Sequence, residues 1–370
     1  MNYSFKLSGL TIMVSLLLSV TACNSNKENK ENTAVPVTIT GVEFDSLVTN
    51  VSASFRGLYA VNDTVVWTAG SNSTVLKTID GGNNWKLMQI DPNDSLEFRD
   101  VHAFDDQKAY VLTAGQPARL YATNDGGENW DLQYENKNPQ AFFDGFDFWN
   151  DHEGIAMSDP VNGKILFIVT RNGRDWIETD STSAPVATEN EGSFAASGTT
   201  VVVGKPGVAR IATSGTEGAR ILITEDYGKT WASVPCPVHS DLQYAGIYSI
   251  AFKGDTTIAV GGSFMHPDST LNNAAISYNG GEKWELLKKG GVGGYRSCVA
   301  PLPFTESSWI TVSRVSGEFS NDNGRTWTAY DKNDTYYSFS IGENASVGYA
   351  SGANGKIAKV RFETSVDQLK

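Results

Sequence analysis

Six copies of one short segment constrain this chain more than any other feature: TIDGGNNW (78–85), TNDGGENW (123–130), TRNGRDW (170–176), TEDYGKTW (224–231), SYNGGEKW (277–284) and SNDNGRTW (320–327). Their tryptophans stand 43 to 55 residues apart. Self-similarity at that period marks a repeat of supersecondary units, and four short strands per unit make the blade of a propeller. The chemistry inside each copy is local. A side-chain oxygen of Asp80, Asp125, Asn172, Asp226, Asn279 or Asp322 accepts backbone N–H bonds two residues on and closes a turn. The glycine supplies a positive φ. The tryptophan (Trp85, Trp130, Trp176, Trp231, Trp284 or Trp327) anchors the outgoing strand in apolar packing. Each copy is thus a lock on the hairpin between the third and fourth strands of a blade. The last copy has a faint likeness to an acidic calcium loop but lacks the spaced ligands and the distal Glu. The histidines (His102, His152, His239, His266) have no metal-ligand spacing. No metal and no cofactor are expected.

Strand counting gives the closure. Six box-bearing blades are predicted over 55–90, 98–134, 142–178, 194–234, 244–287 and 295–330. A seventh unit, 336–362, has three strands and no box, while VTITGVEF (37–44) is a strand without a blade. Adding that strand as the fourth of the last unit closes the ring and removes an exposed edge. The expectation is an all-β, seven-bladed propeller over 36–365, with six blades and a loose tail as the alternative.

The first 22 residues read as an address. A positive start at Lys6 precedes an apolar run, LTIMVSLLLSV, of secretory-signal length and too short to span a bilayer. It ends in Val20-Thr21-Ala22-Cys23, which resembles a lipobox, the cleavage site before a cysteine that bacteria acylate. The polar stretch 23–35 is then a tether. Acyl chains on Cys23 would hold the protein at a membrane without a spanning segment. With no Asp after Cys23, Gram-negative sorting rules point to the outer membrane. The expectation is a bacterial cell-envelope lipoprotein. A net charge of −13 argues against nucleic acid or an anionic membrane surface as main partner. Cys236 is expected just after an outermost strand and Cys298 in an innermost strand two blades away, so both are expected to remain thiols.

Function is sought on the face opposite the boxes. Three long connections between second and third strands, 158–164, 205–219 and 263–273, are expected there in adjacent blades, where recognition loops gather. The starts of the innermost strands carry a second pattern: Phe55-Arg56-Gly57, Phe98-Arg99-Asp100 and Tyr295-Arg296-Ser297, with Asp144 in the equivalent place of blade 3 and Tyr337 in blade 7. In ring order this puts Arg56, Arg99 and Arg296 on one arc of the channel mouth, a candidate anion or carboxylate site because guanidinium grips carboxylates bidentately. Local pairing with Asp100 or Asp144 is the alternative.

The box, Ser/Thr-x-Asp-x-Gly-x-x-Trp, resembles the Asp-box or BNR repeat. Two families share it. In sialidases and related glycosidases, three arginines hold a carboxylated sugar beside a Tyr–Glu pair and an Asp acid; that resemblance implies roles for the arginine arc, Tyr337 and Asp159. The Phe-Arg-Ile-Pro opening of that family is absent here, as Arg56 sits in SFRGLY. The blade texture, such as Val65-Val66-Trp67-Thr68-Ala69-Gly70 before VLKTIDGGNNW, is more similar to the photosystem II stability and assembly factor family. That resemblance covers roughly 54–362 and implies a non-catalytic protein that binds membrane-protein assembly intermediates; the expectation is a monomeric scaffold for an envelope protein or glycan. The alternative is a sialidase-like hydrolase of an acidic glycan. No dinucleotide fingerprint, CxxC or haem motif supports an oxidoreductase.

Overall fold

Short runs of β-branched and aromatic residues, cut every few positions by Gly, Asn or Asp, can pair only with their sequence neighbours, and they do so in order. The computed structural model describes residues 37–240, 244–287, 292–330 and 335–365. Cys23, the signal and the tether lie outside them. Among the described residues the structure is all-β: seven four-stranded antiparallel sheets. Blade 1 runs Phe55–Ala60, Val66–Gly70, Thr74–Thr78, Lys86–Gln89, and blades 2 to 6 repeat that meander.

Blade 7 takes Ser338–Ser340, Gly348–Ser351 and Ile357–Thr364 from the carboxyl end and Ile39–Leu47 as its outermost strand. The pairing runs from Ile39 opposite Thr364 to Leu47 opposite Ile357. The closing strand is also tied sideways to blade 6: Asn321 accepts the Ile39 N–H at 2.9 Å and donates to the Ile39 carbonyl at 2.8 Å.

The boxes lock their hairpins, but over a longer span than two residues. In the first, the Asp80 carboxylate accepts the Asn84 N–H, four residues on, at 2.9 Å, while the Thr78 hydroxyl accepts the Gly82 N–H. Asp125, Asn279 and Asp322 likewise accept from the fourth residue on, and Asp226 from the third and fourth. Only the shortened third box uses the second and third residues, Arg174 and Asp175. An eight-residue turn puts the fourth N–H where the carboxylate points; removing one residue shortens the reach. The tryptophans do more than anchor their own strand. Each packs across a seam onto the preceding blade, as Trp231 stacks on Phe167 with ring centroids 4.0 Å apart, and the core therefore consists of inter-blade layers.

Two expectations about connections fail. Residues 205–219 are not a loop between second and third strands; they hold the first turn of blade 4, its second strand Ala209–Gly215 and a tight hairpin. Residues 158–164 are likewise strand ends around a turn at Asn162 and Gly163. Of the three, only 264–273 is an extended loop between those strands. The extra length between the third and fourth tryptophans lies instead in the connection 179–200, because the innermost strand of blade 4 is Val201–Val203 and does not begin at Phe194. Cys236 and Cys298 are free and buried; burial pushes the Cys236 thiol up to about 12 and raises that of Cys298 as well.

Candidate functional site

The site begins with a backbone irregularity. The innermost strands of blades 1, 2, 3 and 5 each slip register by one residue near their start, between Phe55 and Gly57, Phe98 and Asp100, Phe143 and Gly145, and Ile247 and Ser249. A bulge leaves one residue unpaired and re-aims its side chain. The bulged residues are Arg56, Arg99, Asp144 and Tyr248. Blade 6 has no such slip, and its innermost strand begins only at Cys298. Arg296 accordingly turns away from the mouth into the body of the propeller. It is 1% exposed and pairs with Glu318 at 3.0 Å. The expectation that it completes the arc is wrong.

Its place is taken by Arg314, which follows the second strand of blade 6, Trp309–Val312. Arg56, Arg99 and Arg314 line a pocket of about 310 Å³ with Tyr248, Tyr295 and Tyr337. The Arg56 guanidinium stands 4.2 Å over the Tyr337 ring, and Arg314 donates to the Phe264 carbonyl. Tyr295 meets Tyr248 edge-on at 4.8 Å. Arg99 has Glu97 at 3.5 Å as a loose partner, whereas Asp100 turns inward to accept the Phe146 N–H at 2.9 Å. Among the described residues no carboxylate pairs with Arg56 or Arg314. Burial lowers the pKa of Arg56, and the neighbouring Arg99 charge lowers it further. A half-buried cation next to another cation favours an anion.

No sequence pattern marks the floor of the pocket. Residues 194–200 of the long connection cross the top of the channel. Ala195 and Ala196 carbonyls accept from Arg99 and Arg56 at 3.4 Å. Ser197 donates to the Ser297 carbonyl at 2.7 Å, and Thr199 to the Ser249 hydroxyl at 2.6 Å. The segment starts between blades 3 and 4 and so reaches blades 1, 2, 5 and 6. Gly198, at φ +74°, passes over Asp100, where a Cβ would sit 2.1 Å from the carboxylate. The pocket is therefore blind rather than open to the channel.

Beside it lies a larger cavity of about 700 Å³ under the same connection, lined by Asp159, Asn190, Ser193, Ser214, Thr216 and Ser240 among others. Phe194 and Tyr244 line both. Asp159 accepts the Ser193 N–H at 3.1 Å and lies carboxyl to carboxyl with Asp144. Burial and mutual repulsion raise Asp144 well above the carboxylate range; burial pushes Asp159 up to about 6. Of the six residues read from sequence as ligand-binding, Arg56, Arg99 and Tyr337 share the pocket, Asp144 and Asp159 form the adjoining pair, and Arg296 is elsewhere. Arg314, Tyr248 and Phe194 went unread; they stand in connections or at a bulge that carries no repeated residue.

Residues 39–143 match the model of the photosynthesis system II assembly factor YCF48 family. No curated protein sequence matches the chain. Among solved structures, YCF48 bound to a D1 peptide aligns with TM-score 0.62 at 15% identity, covering 88% of this chain and 100% of that one. YCF48 from Cyanidioschyzon merolae aligns with TM-score 0.60 at 15% identity, over 86% and 98%. An inactive virginiamycin B lyase from Staphylococcus aureus aligns with TM-score 0.64 at 11% identity, over 86% and 99%. The chain is a seven-bladed propeller of the BNR type that resembles the photosystem II assembly factor YCF48.

Proposed function

We propose that this chain is a lipid-anchored binding or assembly propeller of the bacterial cell envelope, acting as a monomer, that takes an acidic segment of a partner protein into the arginine pocket. One observation carries the reading: Arg56, Arg99 and Arg314 converge on a blind, tyrosine-walled pocket with, among the described residues, a single loose carboxylate partner. Guanidinium groups bind a carboxylate through charge-assisted hydrogen bonds, each worth about 1.5–3 kcal/mol. A D1 peptide on the structurally similar YCF48 supports a peptide over a glycan. Asp144 is buried and Asp159 half-buried, and the two lie carboxyl to carboxyl, which leaves no room between them for a bond held as a hydrolase acid and nucleophile would hold it. The cysteine at the end of an apolar signal supports the anchor, at the outer membrane by the residue after it.

Pull-down from its own membranes, followed by peptide arrays of the recovered proteins, tests the pocket. Peptides bound through a carboxylate should lose about tenfold in affinity on Arg56→Ala or Arg314→Ala. Binding indifferent to both substitutions, or turnover of a fluorogenic sialoside, overturns the reading. Cys23→Ser should move the protein from the membrane to the soluble fraction.

A further inference from the structure

The cavity beside the arginine pocket has a different chemistry and no explanation in carboxylate binding. Its charged wall is Asp159, the only acid of the buried pair that reaches the cavity surface. Behind it Asp144 is 1% exposed, and neither of its carboxyl oxygens has an aligned hydrogen-bond partner. Two carboxyl groups side by side, one of them fully buried, resist ionising together, and without a ligand they share a proton. The chain spends structure on keeping this arrangement. Gly192 passes so close that a Cβ there would stand 2.3 Å from the Asp159 carboxylate, and the Ser193 N–H holds the carboxylate in place. The second acid on the wall, Glu191, is already taken: Arg220 meets it at 2.6 Å, and Thr213 and Thr188 donate to it. Among the described residues Asp159 thus remains the acid of the cavity for an incoming donor, and Ser193, Ser240 and Asn190 line the same cavity.

We infer that this cavity is a subsite for a basic side chain of the same bound segment, with Asp159 as its counter-ion, so that the groove reads a carboxylate and an ammonium at a fixed separation. The inference rests on the reading of the arginine pocket as a carboxylate site. Phe194 and Tyr244 line both cavities, so one extended segment can occupy both. The ammonium replaces the shared proton, which leaves to solvent. The charged and titratable groups around Asp159 are Asp144 on its own sheet, Arg99 behind Asp144, Glu191 on the connection and Tyr244 on the facing wall. Binding of the basic group therefore strengthens as pH rises from about 5 to about 7.5, where Asp159 is ionised without help.

The probe is a set of fluorescent alanine heptapeptides with a free carboxyl terminus and one lysine placed two to five positions before it, each paired with a norleucine copy of the same shape. Anisotropy titrations with the intact chain at about pH 7.5 should show, at one spacing, lysine tighter than norleucine by about tenfold. That advantage should shrink at about pH 5 and vanish in Asp159→Asn, which keeps the acceptor for Ser193. Equal affinity of lysine and norleucine at every spacing overturns the inference, as does an advantage that survives in Asp159→Asn. The wild-type comparison needs no variant, so a folding defect in Asp159→Asn leaves a decisive result. The same series with amidated ends isolates the other reading: acids and amides that bind alike sink the arginine pocket, while the lysine comparison within the amides still decides on Asp159.

Discussion

At the scale of single residues, Arg56, Arg99 and Arg296 show how one sequence pattern yields two outcomes. All three follow an aromatic residue near the start of an innermost strand. Arg56 and Arg99 sit on bulges and face the mouth, while Arg296 precedes a strand that starts two residues later. Its guanidinium fills a dry site with Glu318, whose carboxylate also accepts the Gly293 N–H at 2.9 Å. Removing one member of a buried pair strands the other charge, at about 3–5 kcal/mol. Arg296→Met should therefore lower the unfolding free energy by that much. Arg314→Ala, at an exposed position, should shift stability by less than about 0.5 kcal/mol while weakening the ligand. Chemical denaturation of the two variants side by side checks both.

At the scale of elements, the closing strand and the connection 179–200 stand at opposite ends of legibility. The strand Ile39–Leu47 was legible because an unpaired strand at one end and an incomplete blade at the other have one economical solution. What holds it in register was not. Asn321, an unremarkable second residue of the sixth box, pairs with both the N–H and the carbonyl of Ile39. Asn321→Ala leaves those groups without partners and should cost about 1–3 kcal/mol. Faster amide exchange confined to Ile39–Leu47 and its partner strand would place the loss there; uniform loss across the seven sheets would contradict the closure role. The connection, by contrast, has no period, and the Ser197-Gly198 turn in Phe194-Ala195-Ala196-Ser197-Gly198 does not say which blades it meets. It crosses the channel because Arg56, Arg99, Ser249 and Ser297, contributed by four different blades, supply partners for its backbone and hydroxyls.

At the scale of the whole molecule, two sets of acids pull stability in opposite directions with pH. Hydrogen bonds from their own turns lower the box aspartates, Asp125 to about 2, with Asp80, Asp226 and Asp322 below their usual range despite some burial of the last two. A carboxyl lowered in the folded state contributes stability above about pH 4, and that contribution is lost as pH falls toward 2. Asp144 and Asp159 are raised by burial, so they cost stability as pH climbs through about 6. Thermal stability should therefore peak between about pH 4 and pH 6 and decline on both sides. In Asp159→Asn the decline toward neutral pH should flatten while the acid limb stays; an unchanged neutral limb would show that the pair is not strained.

The sequence by itself determined whatever rests on contacts between near neighbours. The boxes close turns with their own residues, the meander of each blade follows from adjacent strands, and the count of strands forces the ring to close. The phenylalanine-arginine pattern also announced Arg56 and Arg99. Tertiary structure alone decided the pocket itself. Arg314 comes from blade 6, the floor from a connection between blades 3 and 4, and the tyrosines from blades 5, 6 and 7. Their convergence depends on bulges and on a crossing segment whose partners lie about 50 to 140 residues away along the chain, and a local pattern does not encode contacts over such separations.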